Sequence, residues 1–144
     1  MNQILLPLVR VGAAGCLAAS GVIHAELYLH GYRTIPGVGP AFLLQASGSL
    51  AVALLLLFTT TTMLRLAAAA LAAGALVGFI LSRTIGILGF VEYGLQPAPQ
   101  ALISVLVEIA TLALLAVDAL HRTTSRPALS STLHRPQRPR VVVR

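Results

Sequence analysis

Charged residues are scarce in this chain, and most of those present carry the same sign. Only 10% of the 144 residues are Asp, Glu, Lys or Arg, whereas 57% are hydrophobic, and the mean hydropathy is +0.89. A soluble domain cannot bury so large an apolar fraction, so the composition excludes a soluble globular protein and indicates lipid as the solvent. A chain of this length has room for one domain.

Cysteine and strand-type alternation are also nearly absent. The single thiol, Cys16, excludes an internal disulfide and a CxxC redox pair. The apolar segments are rich in Ala and Leu and lack strict alternation of polar and apolar residues, which excludes a β-barrel. Because backbone polar groups in hydrocarbon must be hydrogen-bonded internally, these segments are predicted to be helices.

Four apolar segments are each about 20 residues long, the length that crosses a hydrocarbon layer ~30 Å thick. We predict an all-α protein with one domain over residues 1–120, a four-helix transmembrane bundle with short loops. Its predicted spans are residues 5–29, 40–58, 63–81 and 101–120. The connection between the second and third spans is predicted to be a tight turn with a helix cap.

The remaining segment, residues 121–144, is rich in Arg and interrupted by Pro, which predicts a disordered tail. Its Arg residues are expected to contact anionic lipids at the bilayer surface. Because the tail lacks aromatic residues that stack on bases, no nucleic-acid binding is expected.

The distribution of Arg predicts how the chain is oriented in the cell membrane. All ten basic residues are Arg, and six of them follow the last predicted span. An excess of basic residues marks the cytoplasmic side, and four spans return the N-terminus to the side of the tail. Arg10 and Arg65 then also lie inside, and only Arg33 and Arg83 lie outside. We predict a multi-pass protein with both termini cytoplasmic.

Three polar side chains are predicted to meet in the outer half of the bundle. Counted from the outer ends of their helices at 1.5 Å per residue, His24, Gln45 and Glu108 lie ~7–10 Å deep. An embedded ionisable side chain costs on the order of 3 kcal/mol or more and is seldom retained without a partner. Arg83, just beyond the third span, is predicted to reach Glu108. Either these residues accept a proton or clamp a quinone head, or Glu108 pairs with Arg83 or His24 only to tie the bundle together.

The outer connections are the other candidate elements of this site. Residues 84–100 are apolar but too short and too rich in Gly and Pro to span, so they are predicted to lie in the interface as a lid that includes Glu92 and Tyr93. Tyr32 in the first connection is predicted to belong to an interfacial aromatic belt.

No metal site is predicted, and the weak candidates are Glu26 and His30. With His24 they form the pattern H-x-E-x-x-x-H on one helix. Residues i and i+2 point to different faces, so His24 and Glu26 cannot easily share an ion, whereas Glu26 and His30 align at i+4.

Small residues recur at every fourth position on two of the predicted helices. The two sets are Gly12, Cys16 and Ser20 leading to His24, and Ala70, Gly74, Gly78 and Ser82. Since small side chains let membrane helices approach closely, the first and third helices are predicted to pack tightly.

Two stretches in about the first 60 residues carry a family resemblance. The first has Arg10 in L-V-R-V-G followed by S-G-V-I-H, which ends at His24; the second is F-L-L-Q-A-S-G-S-L-A-V-A-L-L-L-L from Phe42. They resemble the DoxX-like family of small four-helix membrane proteins. That family has Lys where this chain has His24 and a carboxylate where it has Gln45. The resemblance implies a membrane subunit connected to quinone or thiol redox processes.

Three functional classes follow. The first is a redox-associated membrane subunit with a polar site in its outer half, for which quinone is the expected cofactor. The second is a non-catalytic assembly or scaffold subunit that contacts another membrane protein or a second copy of itself. The third is a small transporter. No residue is assigned a catalytic role.

Overall fold

The computed structural model describes residues 2–59 and 61–124 and contains no β-strand within them. Four long helices follow one another: α1 (Asn2–Leu29), α2 (Val38–Phe58), α3 (Thr62–Arg83) and α4 (Gln100–Thr124), with a 3₁₀ turn at Tyr32–Thr34. All four are long and apolar enough to cross a membrane. The predicted fold class, an all-helical bundle with four helices of membrane-spanning character, is confirmed.

Each helix is slightly longer than its predicted apolar span. α3 continues to Arg83 and α4 to Thr124, whereas the apolar pattern ends at residues 81 and 120. Hydropathy marks the part of a helix that fits hydrocarbon, but backbone hydrogen bonding continues into the polar region beyond it. The predicted cap is present, because Thr61 accepts a hydrogen bond from the Leu64 N–H at 3.3 Å. The tail was predicted to be disordered from residue 121, which is wrong for residues 121–124 because they continue α4, and residues 125–144 lie outside the described residues.

The small-residue stripes do not bring α1 and α3 together, and this prediction is wrong. In the described residues α1 packs against α2 and α4, and α3 packs against the same two helices, so α1 and α3 are diagonal. On α1, a Cβ added at Gly21 would lie 2.8 Å from Leu50 Cγ of α2, and one at Gly12 would lie 3.3 Å from Leu114 of α4. Small residues permit close approach to any neighbour, and their spacing does not identify which one.

The distribution of side chains across the bundle is that of a protein in lipid. Large apolar side chains face outward along every helix, including Leu8, Leu44, Leu66 and Leu106, which are 56–69% exposed. Polar side chains are buried instead, with Ser20, Ser49 and Thr111 at 0% exposure. In a bilayer this arrangement leaves apolar groups in contact with hydrocarbon and satisfies polar groups internally.

The two ends of the bundle differ in packing. We call the end with the start of α1, the α2–α3 connection and the end of α4 the inner end, and the opposite one the outer end. Towards the inner end, the helices meet in a cluster of closely packed side chains: Ala14, Leu17, Ala53, Leu56 and Ala68. Towards the outer end the helices separate, which leaves the space described next.

Candidate ligand cavity

A cavity of about 430 Å³ lies in the outer half of the bundle. All four helices contribute to its wall, and the α3–α4 connection, residues 84–99, covers it; we call this connection the roof. Most of the wall is apolar or aromatic, and its polar members are few: His24, Tyr32, Gln45, Ser82, Arg83, Glu92 and Ser104. The volume and the small number of polar groups in an apolar wall are typical of sites for small organic ligands.

His24 on α1 is held in one orientation by its own helix. Its side chain is buried, and Nδ1 lies 2.9 Å from the backbone oxygen of Ser20, one turn earlier. A carbonyl oxygen only accepts hydrogen bonds, so Nδ1 carries the hydrogen and donates it. The imidazole also contacts Phe42, with ring centroids 5.2 Å apart. Nε2 is therefore the ring nitrogen left to interact with a ligand in the cavity.

Gln45 on α2 contributes a second polar group to the wall. Its Nε2 donates to Leu71 O of α3 at 3.2 Å and to Ser49 Oγ at 3.3 Å. These bonds use the amide hydrogens, and the side-chain oxygen has no donor among the described residues. Gln45 thus ties α2 to α3 and leaves an acceptor for a ligand.

Glu108 does not belong to the cavity wall, and its predicted pairing with Arg83 or directly with His24 is wrong. The side chain of Glu108 is 1% exposed and its Oε1 accepts a hydrogen bond from Ser20 Oγ of α1. Its Oε2 is buried without a hydrogen-bond partner in the described part of the chain. Depth along a helix placed Glu108 and Arg83 within reach, but the rotation of α4 turns Glu108 towards α1.

Ser20 connects the buried acid to the cavity and is not among the site residues predicted from sequence. Its hydroxyl donates to Glu108 and lies 3.5 Å from His24 Nδ1, while its backbone oxygen holds the imidazole. The sequence feature that could identify Ser20 as a site residue is its position four residues before His24, on the same helix face. The position does not by itself distinguish Ser20 from a packing residue, because Gly12 and Cys16 lie on the same face.

Arg83 fastens the roof to the end of α3. Its Nε donates to Gly94 O at 2.7 Å and its Nη2 to Gln96 O at 2.5 Å. Nη2 also lies 3.3 Å from Glu92 Oε2, which makes an ion pair within the cavity wall. The guanidinium therefore neutralises Glu92 and satisfies roof carbonyls, and it has no need of Glu108.

Tyr32 joins the roof to the aromatic part of the wall. Its hydroxyl donates to Glu92 Oε1, and its ring stacks on Phe42 with centroids 4.6 Å apart and meets Phe90 edge-on at 5.7 Å. Burial and the hydrogen bond to Glu92 raise the pKa of Tyr32 far above its ordinary value, so the phenol remains a donor. Of the predicted lid residues, Glu92 lies in this network, whereas Tyr93 is 81% exposed and outside the wall.

The cavity opens sideways, between α2 and α3. Wall residues on both helices are exposed, namely Ala41 and Leu44 on α2 and Ala70 and Gly74 on α3. A Cβ added at Gly74 or Gly78 would meet no atom within 4 Å. The small-residue stripe of α3 thus borders an opening towards lipid instead of a neighbouring helix.

The weak metal candidates, Glu26 and His30, lie near the outer end of α1. His30 Nδ1 bonds to the backbone oxygen of Glu26 at 2.8 Å, and both residues are exposed. Residues 2–59 and 61–124 hold no group of three or more His, Cys, Asp or Glu side chains that could bind a metal ion.

The chain matches no protein family, no curated protein and no solved structure in comparisons with each. The fold and the apolar helices define the class of the protein. It is a multi-pass helical membrane protein with a cavity whose wall is mostly apolar and carries a few polar groups.

Proposed function

We propose that this protein is a small integral membrane subunit of a quinone-linked redox process and that the cavity binds the quinone head group. The observation that carries the proposal is a cavity of about 430 Å³ with an apolar and aromatic wall, which opens towards lipid and presents His24 and Gln45. A quinone is itself a flat ring with polar oxygens that travels dissolved in the bilayer. The opening between α2 and α3 gives such a molecule a direct way in.

The polar groups of the wall are suited to the reduced ring. The Nε2 of neutral His24 and the side-chain oxygen of Gln45 are both acceptors, so they match the hydroxyl hydrogens of a quinol. Phe42 lies against both His24 and Tyr32 and offers an aromatic face for the ring. The two positions at which the chain departs from the DoxX-like pattern, His24 and Gln45, both line the cavity, so the proposal rests on the chemistry of these side chains and not on the resemblance.

A scaffold subunit is the second candidate, and the α3 face favours it. Ala70 and Gly74 are exposed, and open space adjoins Gly74 and Gly78. A helix of another membrane protein, or of a second copy, fits against such a face. Transport has the least support, because Leu17, Leu56 and Ala68 are almost fully buried between the cavity and the inner end.

We further propose that the protein lies in the cell membrane with both termini cytoplasmic and with its Arg-rich tail against anionic lipid. The excess of Arg at the inner end supports this orientation.

The test is to purify the full-length chain from its membranes in mild detergent and to identify extracted quinones by chromatography and ultraviolet spectra. Wild-type protein is expected to retain a quinone, and His24→Ala and Gln45→Leu to lose most of it, about tenfold or more in affinity for one lost hydrogen bond and the unpaired partner. Ser47→Ala, on the exposed side of α2, is the matched control and should retain it. Absence of quinone together with a stoichiometric protein partner would replace this proposal with the scaffold.

A further inference from the structure

A second polar cluster lies at the inner end of the bundle and takes no part in the cavity. Asp118 on α4 is 6% exposed, and its Oδ2 accepts from Arg65 Nη1 and from Arg122 Nε, each at 2.9 Å. Arg10 on α1 borders the same void, of about 10 Å³, as Arg65 and Asp118. Two guanidinium groups therefore bind this carboxylate, and a third Arg residue lies beside the same void.

Arg10 has no counter-ion of its own within the described residues. Its Nε is buried without a hydrogen-bond partner, and the neighbouring carboxylate already shares one oxygen between Arg65 and Arg122. A guanidinium cannot become neutral by losing its proton at physiological pH. The Nε of this half-buried Arg10 thus lies in a low dielectric without a hydrogen-bond partner, next to one carboxylate that two other Arg residues share, and this excess of positive charge favours an anion.

The helix directions bring the cluster towards the membrane surface. Arg10 follows the start of the first span, Ile4, by six residues, about 9 Å along the helix. Side chains on a helix lean towards its N-terminus, and both α1 and α3 begin at the inner end. Arg10 and Arg65 therefore extend towards the level of the lipid head groups. Arg122 is already there, with its side chain 41% exposed.

We propose that Arg10, Arg65 and Arg122 bind a phosphate group at the inner surface. Phosphate oxygens accept paired hydrogen bonds from guanidinium groups, and the negative charge offsets the surplus of Arg over Asp118. The void has room for about one water molecule, so the phosphate lies outside it, towards the inner surface, where the side chain of Arg122 is exposed. The phosphate belongs either to a phospholipid head group or to free inorganic phosphate. This site is separate from the cavity and from the Arg residues that follow Thr124 in the sequence.

Native mass spectrometry of the full-length protein in mild detergent tests the proposal. The protein is titrated separately with phosphatidylglycerol, with an uncharged galactosyl diglyceride and with inorganic phosphate. We expect phosphatidylglycerol or phosphate to bind and the galactolipid not to bind, and the bound species identifies the source. Arg10→Gln and Arg122→Gln are each expected to weaken binding about tenfold, and Arg33→Gln, in the outer connection, to leave it unchanged.

Two outcomes would overturn the site. One is equal binding of the galactolipid, which would mean that the phosphate is not recognised. The other is loss of binding only when the tail residues Arg126, Arg135, Arg138, Arg140 and Arg144 are replaced by Gln, with Arg10→Gln and Arg122→Gln binding as wild type. Should Arg10→Gln fail to insert, Arg122→Gln decides by itself, because its exposed side chain can be replaced without opening the interior.

Discussion

At the scale of single residues, one hydrogen bond decides what the cavity offers a ligand. His24 donates from Nδ1 to the Ser20 carbonyl, so its other nitrogen is an acceptor when the ring is neutral. Ser20 at the same time donates its hydroxyl to Glu108, a buried acid with no cation beside it in the described residues. The three side chains form one connected group in which only His24 meets the cavity.

The substitution Glu108→Gln tests whether Glu108 forms a buried ion pair with a cation. The amide oxygen can still accept the Ser20 hydroxyl, and no ion pair is broken, so we expect the free energy of unfolding to change by less than about 1 kcal/mol. Thermal unfolding in detergent, followed by circular dichroism, measures this. Removing one partner from a buried ion pair costs about 3–5 kcal/mol. A loss of stability of that size would contradict the expectation and show that a cation pairs with Glu108.

At the scale of elements, the same kind of residue serves two purposes on two helices. Gly21 on α1 is needed because Leu50 Cγ of α2 would lie 2.8 Å from a Cβ there. A Cβ added at Gly74 on α3 would meet no atom within 4 Å, and Gly74 borders the cavity. A small residue on α1 thus closes a helix interface, whereas one on α3 keeps a space open.

Gly74→Leu should therefore fill the cavity without unfolding the protein. The new side chain projects into open space, so we expect stability within about 1 kcal/mol of wild type and strong loss of the retained quinone. Gly15→Leu is the matched control, because Gly15 is exposed on α1, has no atom within 4 Å of its added Cβ and does not border the cavity. If both substitutions spare the ligand, it does not lie between α2 and α3.

The roof depends on the hydrogen bond between Tyr32 and Glu92. Tyr32→Phe keeps the stacking on Phe42 and removes only the hydroxyl, which contributes on the order of 1 kcal/mol. We expect faster amide hydrogen exchange over residues 84–99 and faster release of ligand. Tyr93→Phe, whose side chain is 81% exposed, should leave both rates unchanged. Equal exchange in the two variants would show that the Tyr32 hydroxyl does not hold the roof, and that Arg83 and the backbone bond from Glu92 N to Ser82 O do.

At the scale of the whole molecule, composition and segment length were sufficient to predict the fold, because four apolar stretches in lipid leave helices as the available structure. That His24 and Gln45 lie at one level was predictable too, since each residue advances a helix by a fixed rise, and both line the same cavity. Rotation of one helix against another was not. It depends on how side chains fit, and so Glu108 meets Ser20 instead of Arg83. The sequence of the roof has no helical or strand periodicity. Its position as a cap could therefore be predicted, but the contacts of its side chains could not.

The orientation of the whole bundle can be tested by labelling. In a Cys16→Ser background, Gly31→Cys places a thiol in the first outer connection and Thr61→Cys places one in the inner turn. A membrane-impermeant maleimide added to intact cells should label the first and not the second, if both termini are cytoplasmic. The reverse pattern would invert the topology, and labelling of both only after lysis would place the protein in an internal membrane.

The sideways opening between α2 and α3 also determines which concentration the cavity responds to. A ligand that enters from the bilayer equilibrates with its mole fraction among the lipids, not with its amount in the surrounding water. Diluting a suspension of membranes with buffer should leave occupancy of the cavity unchanged. Fusing the same membranes with vesicles that lack the ligand should lower occupancy in proportion to the added lipid.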